Sequence, residues 1–362
     1  MDYRAPWWLP GGNLQTIWAA RRAQRFVDVK PMFRRERWTT PDHDFVDVDF
    51  LNEAEPRRAL QAPGFSVPSG QTTELAIALS DTSLLATSVD ATSRYQPLLV
   101  VFHGLEGSSA SHYSEALADE AATRGWACAV PHFRGCSGEL NKAPRAYHSG
   151  DFEEIDWLLR RFKARHNGPV VAVGISLGGN ALMRWAGELG SQASALVSGV
   201  ASVCSPLDLT ASGQAIGRGF NRQVYTRMFL GTMVPKALQK LDQHPGLFKR
   251  EALLAARDLY EFDNIVTAPL HGFKNTDDYW SRASAKPHLA SIRVPALALN
   301  ARNDPFIPAW SLPQAEYVGP YVTLWQPSEG GHVGFPSAPF PAHVRAMPEA
   351  VTGFLAAQLR AS

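Results

Sequence analysis

From Gln96 onward, apolar runs of four or five residues alternate with stretches of helical periodicity, and this rhythm restricts the fold more than any other feature of the chain. Leu98–Phe102 (LLVVF), Ala127–Val130 and Val170–Val173 are short and apolar throughout, as strands buried on both faces of a parallel sheet are. Between them, Tyr113–Thr123 reads as a helix, and Phe152, Ile155, Leu158, Leu159 and Phe162 recur at helical spacing. Leu177–Leu189 reads as another helix and Ala195–Ala201 as another strand. Strands joined through helices in this way imply right-handed crossovers. The expected class is therefore α/β, a mostly parallel central sheet flanked by helices.

The rhythm breaks between about residues 205 and 286, where Met228, Phe229, Met233, Phe248 and Tyr260 lie among helix formers without a clear strand. That stretch is expected to be a helical insertion acting as a lid. Sheet texture returns at Val294–Leu299 and Tyr321–Leu324, and Val344, Met347, Val351, Phe354 and Leu355 share one face of a closing helix. Residues 1–80 read as an irregular N-terminal extension packed on the core, with residues 81–362 as the main domain. Within the extension, Trp7, Trp8, Pro10, Gly11 and Gly12 suggest a packed turn, and Asp44–Phe50 alternates as a strand does.

Bulk properties remove several classes of function. The 362 residues carry 35 basic and 34 acidic side chains, a net charge of +1, so no global field gathers nucleic acid or anionic lipid. Cys128, Cys136 and Cys204 form no C-x-x-C pair, which argues against a disulfide framework or a zinc site and for reduced thiols. Residues 1–12 lack the pattern of a secretory leader, and no apolar run approaches the roughly 20 residues of a membrane helix. A cytoplasmic protein without an integral membrane segment is expected. Oligomeric state is not legible.

The chemistry centres on Gly174-Ile175-Ser176-Leu177-Gly178, a G-x-S-x-G sequence. By chance the pattern arises in roughly one chain in ten of this length. Here it follows a buried strand and opens a helix, the context that lifts a serine hydroxyl clear of the backbone and toward a base. An oxyanion would need N–H donors from two places. One is the Leu177 amide at the start of the helix. The other is the Leu105 amide, in the loop His103-Gly104-Leu105-Glu106-Gly107 directly after Leu98–Phe102. The His103 side chain itself reads as structural.

The base should follow the last strand. His332, in Gly330-Gly331-His332-Val333-Gly334, lies just past Tyr321–Leu324, whereas the competitors His271 and His288 lie in or beside the insertion. The orienting acid should follow the strand before, and Asp304, in Asn303-Asp304-Pro305, is the candidate, although Asp-Pro alone also forms turns. The order Ser176, Asp304, His332 is the order of the α/β-hydrolases and not that of other serine-hydrolase folds.

At this point the sequence resembles the YheT-like esterase branch of that superfamily, whose eukaryotic relatives include ABHD1/ABHD3-type lipases and yeast ethyl-ester acyltransferases. The match is carried by Leu9-Pro10-Gly11-Gly12-Asn13-Leu14-Gln15-Thr16, His103-Gly104-Leu105-Glu106-Gly107-Ser108-Ser109, Arg134-Gly135-Cys136-Ser137-Gly138 and Gly174-Ile175-Ser176-Leu177-Gly178-Gly179-Asn180. Asn303-Asp304-Pro305-Phe306 and Gly330-Gly331-His332-Val333-Gly334-Phe335 complete it. The resemblance implies the triad roles for Ser176, Asp304 and His332. Asn13 departs from a frequent histidine, and Asp42-His43 from a more usual Asp-Gly turn.

The expected function is hydrolysis of carboxylic esters, of small or lipid alcohols, through an acyl-enzyme on Ser176, with no metal or organic cofactor. An acyltransferase, thioesterase or phospholipase would use the same residues. A hydrolase fold kept only as a binding module is the reading from another class, and an intact triad speaks against it.

Overall fold

The computed structural model describes residues 3–52 and 96–360. The expected boundary between residues 80 and 81 lies outside the described residues. Eight strands form one sheet, β1 (Phe33–Thr39), β2 (Phe45–Leu51), β3 (Leu98–Phe102), β4 (Ala127–Pro131), β5 (Val170–Ile175), β6 (Gly199–Val203), β7 (Ala296–Leu299) and β8 (Val322–Trp325). Their spatial order is β1-β2-β4-β3-β5-β6-β7-β8. β1 pairs antiparallel with β2, and β2 antiparallel with β4, while every later pairing is parallel.

Side chains alternate across this sheet as the pleat demands. Leu98, Val100 and Phe102 point into the cluster completed by α3 (Phe152–Arg165) and α4 (Leu177–Leu189), with Leu158, Phe162, Leu182 and Trp185 fully buried there. Leu99 and Val101 point the other way, onto α2 (His112–Thr123) and the C-terminal helix Ala346–Leu359, through Leu117, Val351 and Leu355. Burial on both faces explains why these strands read as unbroken apolar runs.

Two local expectations change. The apolar run Ala195–Ala201 becomes strand only at Gly199, because Gly190–Ala195 winds as a 3-10 helix that tucks Ala193 against the sheet. The packed turn at Trp7–Gly12 leads into a ten-residue helix, α1 (Gly12–Arg21), whose polar residues Gln15 and Thr16 are buried. Helical periodicity missed it because its buried face is not apolar.

The motif Arg134-Gly135-Cys136-Ser137-Gly138 ties the antiparallel edge to the parallel core. The Arg134 guanidinium donates to Asp42 (2.7 Å), Asp44 (3.0 Å) and Glu154 (2.6 Å). His43, beside Asp42, takes the left-handed conformation (φ 60°) that a glycine adopts without strain.

Between β6 and β7 the chain leaves the sheet for a run of helices that includes Leu209–Ile216, Arg227–Gln243, Arg250–Ala255 and Thr276–Ala283. Cationic and imidazole groups fasten it to the loop before α3. Lys240 Nζ donates to the carbonyls of Asn141 (2.5 Å) and Ala143 (2.7 Å), and His271 Nε2 lies 2.9 Å from the Ala146 carbonyl. Inside the excursion, Asp263 accepts from Thr267 Oγ1 (2.6 Å) and Trp280 Nε1 (2.9 Å), yet burial pushes its carboxyl up to about 6.

A buried acid with a raised pKa makes the folded state lose stability as pH rises from its ordinary value to the raised one, because the unfolded chain ionises first. Asp263→Asn should therefore gain on the wild type by about 2–3 kcal/mol between pH 4 and pH 7. Thermal unfolding of both proteins at the two pH values checks this, and an equal difference at both would contradict it.

Candidate active site

β5 ends at Ile175 in the middle of the sheet, and α4 begins at Leu177, so Ser176 must turn the chain within one residue. It does so at φ 51°, ψ −117°, a strained conformation for a side-chain-bearing residue. The turn closes only because its neighbours lack Cβ atoms. A Cβ on Gly178 would lie 2.5 Å from the carbonyl oxygens of both Phe102 and His103. The Ser176 amide donates to Val203 O (2.9 Å), linking the turn to β6. Fully buried Asn180, one turn into α4, donates to Ser149 O and Ala283 O and accepts from the Ala285 amide, which fixes two loops around the helix start.

The three candidate residues of the hydroxyl relay meet. His332 Nε2 lies 3.0 Å from Ser176 Oγ, and His332 Nδ1 lies 2.9 Å from Asp304 Oδ2. The Asp304 side chain is fully buried, and its other oxygen accepts from the Phe306 amide (2.8 Å). Asp304 follows β7 and His332 follows β8, so loops leaving adjacent parallel strands converge on the turn after β5. The Phe306 ring lies against the imidazole, with centroids 4.1 Å apart.

His271 and His288 are engaged elsewhere. His271 contacts the carbonyls of Thr267 and Ala146, and His288 lies beside Glu188. His103 is buried, with Nδ1 against Gly104 O (2.7 Å) and Nε2 accepting from the Phe133 amide (3.0 Å). That pairing fixes its neutral tautomer, and burial holds its pKa down at about 3. The loop it begins reaches the serine: a Cβ on Gly104 would lie 3.3 Å from Ser176 Cβ.

Among the described residues, one set of His, Cys and acid donors is close enough to share an ion, namely Cys204, Asp304 and His332. The imidazole Nδ1 is already paired with Asp304, and burial together with the Asp304 charge keeps the Cys204 thiol protonated.

A cavity opens beside Ser176 and His332. Core loops contribute Leu105, Tyr147 and Ile307, and the helical excursion contributes Leu209, Ile216, Phe229, Met233, Phe262 and Val266. One long helix thus turns Phe229 and Met233 inward while Lys236, further along it, pairs with Glu106 (2.8 Å) on the loop after β3.

The sequence profile described as the alpha/beta hydrolase fold matches residues 97–339. The chain belongs to the α/β-hydrolase family, in its YheT-like esterase branch. It is similar to the Putative esterase YheT of Escherichia coli, with 40% identity over 68% of this chain and 72% of that one. Phospholipase ABHD3 of Mus musculus is 29% identical over 70% of this chain and 62% of its own length, so the chain spans less than two thirds of that relative. The Pyrococcus furiosus esterase Pf2001 shares the hydrolase fold at 12% identity, with a TM-score of 0.52 over 93% of this chain and 97% of that one. No helix among the described residues is long and apolar enough to cross a membrane.

The close approach at Gly178 generates a sharp expectation. Gly178→Ala should displace the turn that carries Ser176, lower stability by about 1–3 kcal/mol and reduce esterase activity in the fraction that still folds. Denaturant unfolding and activity per folded molecule measure the two effects separately.

Proposed function

We propose that this esterase-type hydrolase cleaves carboxylic esters through an acyl-enzyme on Ser176, with His332 as general base and acid and Asp304 as its orienting group. The observation that carries the reading is the continuous relay Ser176 Oγ–His332–Asp304, at 3.0 and 2.9 Å, opening onto an apolar cavity. These separations are those a nucleophile, its base and the base's orienter need.

Asp304 accepts a hydrogen bond from Nδ1–H, so the proton stays on Nδ1 and Nε2 carries the lone pair that takes the Ser176 proton. Ser176 Oγ then attacks the ester carbonyl, and the carbonyl π electrons move onto oxygen. Two amides are available to that oxygen. The Leu177 N–H is the first of α4 and has no acceptor within the helix. In the loop after β3, the Gly104, Glu106 and Gly107 amides donate to Tyr113 Oη, Tyr147 Oη and Gly104 O. The Leu105 amide lies between these occupied donors, and Leu105 lines the cavity. These hydrogen bonds support Leu105 and Leu177 as the oxyanion donors.

Collapse of the tetrahedral adduct expels the alcohol, which takes the proton from His332 Nε2. Water, deprotonated by the same nitrogen, attacks the acyl carbon; the acyl–Ser176 bond breaks, His332 returns the proton to Ser176 Oγ, and the acid is released. The aliphatic and aromatic walls suit a hydrocarbon acyl chain, with the ester carbonyl at Ser176. That preference agrees with the phospholipase name of the mouse relative.

Ser176→Ala should lower kcat by on the order of 10⁴-fold or more toward chromogenic acyl esters. It should also abolish labelling by an active-serine phosphonate. Full activity in that variant would remove Ser176 from the mechanism. Across an acyl-chain series, kcat/KM should rise from acetyl to longer chains, and a maximum at acetyl would contradict the apolar acyl site.

A further inference from the structure

Nothing in the two loops that carry Asp304 and His332 holds them by regular secondary structure. The His332 loop carries left-handed backbone at Gly331 (φ 63°), Val333 (φ 55°) and Phe335 (φ 44°) and bonds to no neighbouring strand along residues 330–332. Left to itself, such a segment samples many conformations. The relay needs its imidazole held within a few tenths of an ångström.

The amides of residues 330, 331 and 332 are each taken by a side chain. Gly330 N–H donates to Gln15 Oε1 (2.9 Å), Gly331 N–H to Asn303 Oδ1 (2.9 Å) and His332 N–H to Thr16 Oγ1 (2.8 Å). Asn303 precedes Asp304, and its Nδ2 donates to the same Gln15 Oε1 (2.9 Å). One carboxamide oxygen therefore receives a proton from each of the two loops.

The groups that do this are themselves fixed. Gln15 is completely buried, and its Nε2 donates to Leu9 O (2.9 Å). Thr16 Oγ1 spends its own proton on Gly12 O (2.7 Å), so the oxygen can only accept from His332. The helix presses directly on the acid loop: a Cβ on Gly12 would lie 1.8 Å from Asn303 O. Asn13 accepts from Tyr225 Oη (2.9 Å), and the Tyr225 ring packs on Phe306 (4.5 Å), which in turn packs on His332.

We propose that Gln15 and Thr16 are positioning residues, and that the first turn of α1 holds the loops of Asp304 and His332 in register with Ser176. The N-terminal segment is then part of the reaction apparatus. The proposal rests on the assignment of Ser176, Asp304 and His332 as the triad. Gln15 and Thr16 touch neither substrate nor reacting atoms; they act through the position of the imidazole, and a misplacement of about 1 Å there costs on the order of 100-fold in rate.

Thr16→Val keeps the shape of the side chain and removes the acceptor, whereas Thr16→Ser keeps the acceptor. Gln15→Met similarly keeps length and removes both polar atoms. In the full chain, with a chromogenic ester and rates normalised to phosphonate-independent folded protein, Thr16→Val and Gln15→Met should lower kcat about 10- to 100-fold. KM should stay within about threefold, and Thr16→Ser should recover most of the lost kcat. Ser176→Ala runs alongside. If it retains activity, the triad assignment itself fails. If it is inactive while Thr16→Val and Gln15→Met turn over at the wild-type rate per folded molecule, the positioning role is overturned. Should Thr16→Val not fold, Thr16→Ala and Gln15→Met decide in the same way. A rate loss that Thr16→Ser shares equally would also overturn the proposal, since the hydroxyl would then not matter.

Discussion

The turn at Ser176 depends on two backbones coming closer than any side chain allows. A residue with a Cβ held at φ 51° costs of order 1–3 kcal/mol, and it persists only where the surroundings leave no alternative. Here β5 is paired on both sides, by β3 and β6, and α4 is pinned to loops on either side of its first turn by Asn180. The chain must reverse between them in one residue. Everything proposed for the site follows from that constraint, since it places the Ser176 hydroxyl at the carboxyl edge of the sheet, above the loops leaving β3, β7 and β8.

Around this rigid centre the helical excursion is held both by apolar packing, with Ile216 and Tyr225 against Phe306, Ile307 and Leu312, and by polar contacts. It is fastened to the loop before α3 through Lys240, which donates to carbonyl oxygens, and His271, whose Nε2 lies against the Ala146 carbonyl, and to the loop after β3 through Lys236 and Glu106. Its inner face is mostly apolar where it lines the cavity, with Lys236, Lys240 and Asp263 among the lining residues. Phe229, Met233 and Val266 pack within the apolar clusters of the excursion and at the same time line the cavity. Arg134, which also lines the cavity, ties Asp42, Asp44 and Glu154 together through one guanidinium.

Part of this architecture is legible in the sequence. The runs Leu98–Phe102 and Val170–Val173 announced buried parallel strands, and Ser176, Asp304 and His332 each followed a strand in the expected order. Such signals are local: burial on both faces leaves an unbroken apolar run, and a reactive side chain at a strand's end leaves a glycine-rich or turn-forming signature. Gly199 was harder to find as the start of β6, because Leu196 and Val197 are apolar from a turn as well as from a strand. Helix α1 was harder still. Gln15 and Thr16 are polar residues on its buried face, so hydrophobic periodicity points the wrong way there.

The sequence by itself determined the class of fold, the order of its strands along the chain, and which serine, acid and histidine stand at strand ends. Only the tertiary structure decided that β1 and β2 extend the sheet antiparallel, which side chains wall the cavity, and what α1 holds. Gln15 lies 288 residues from Asn303 and 315 from Gly330, and nothing in its local pattern encodes a partner at that distance. A hydrogen bond's partner is chosen by proximity after folding, whereas a strand's burial is written into the residues that form it.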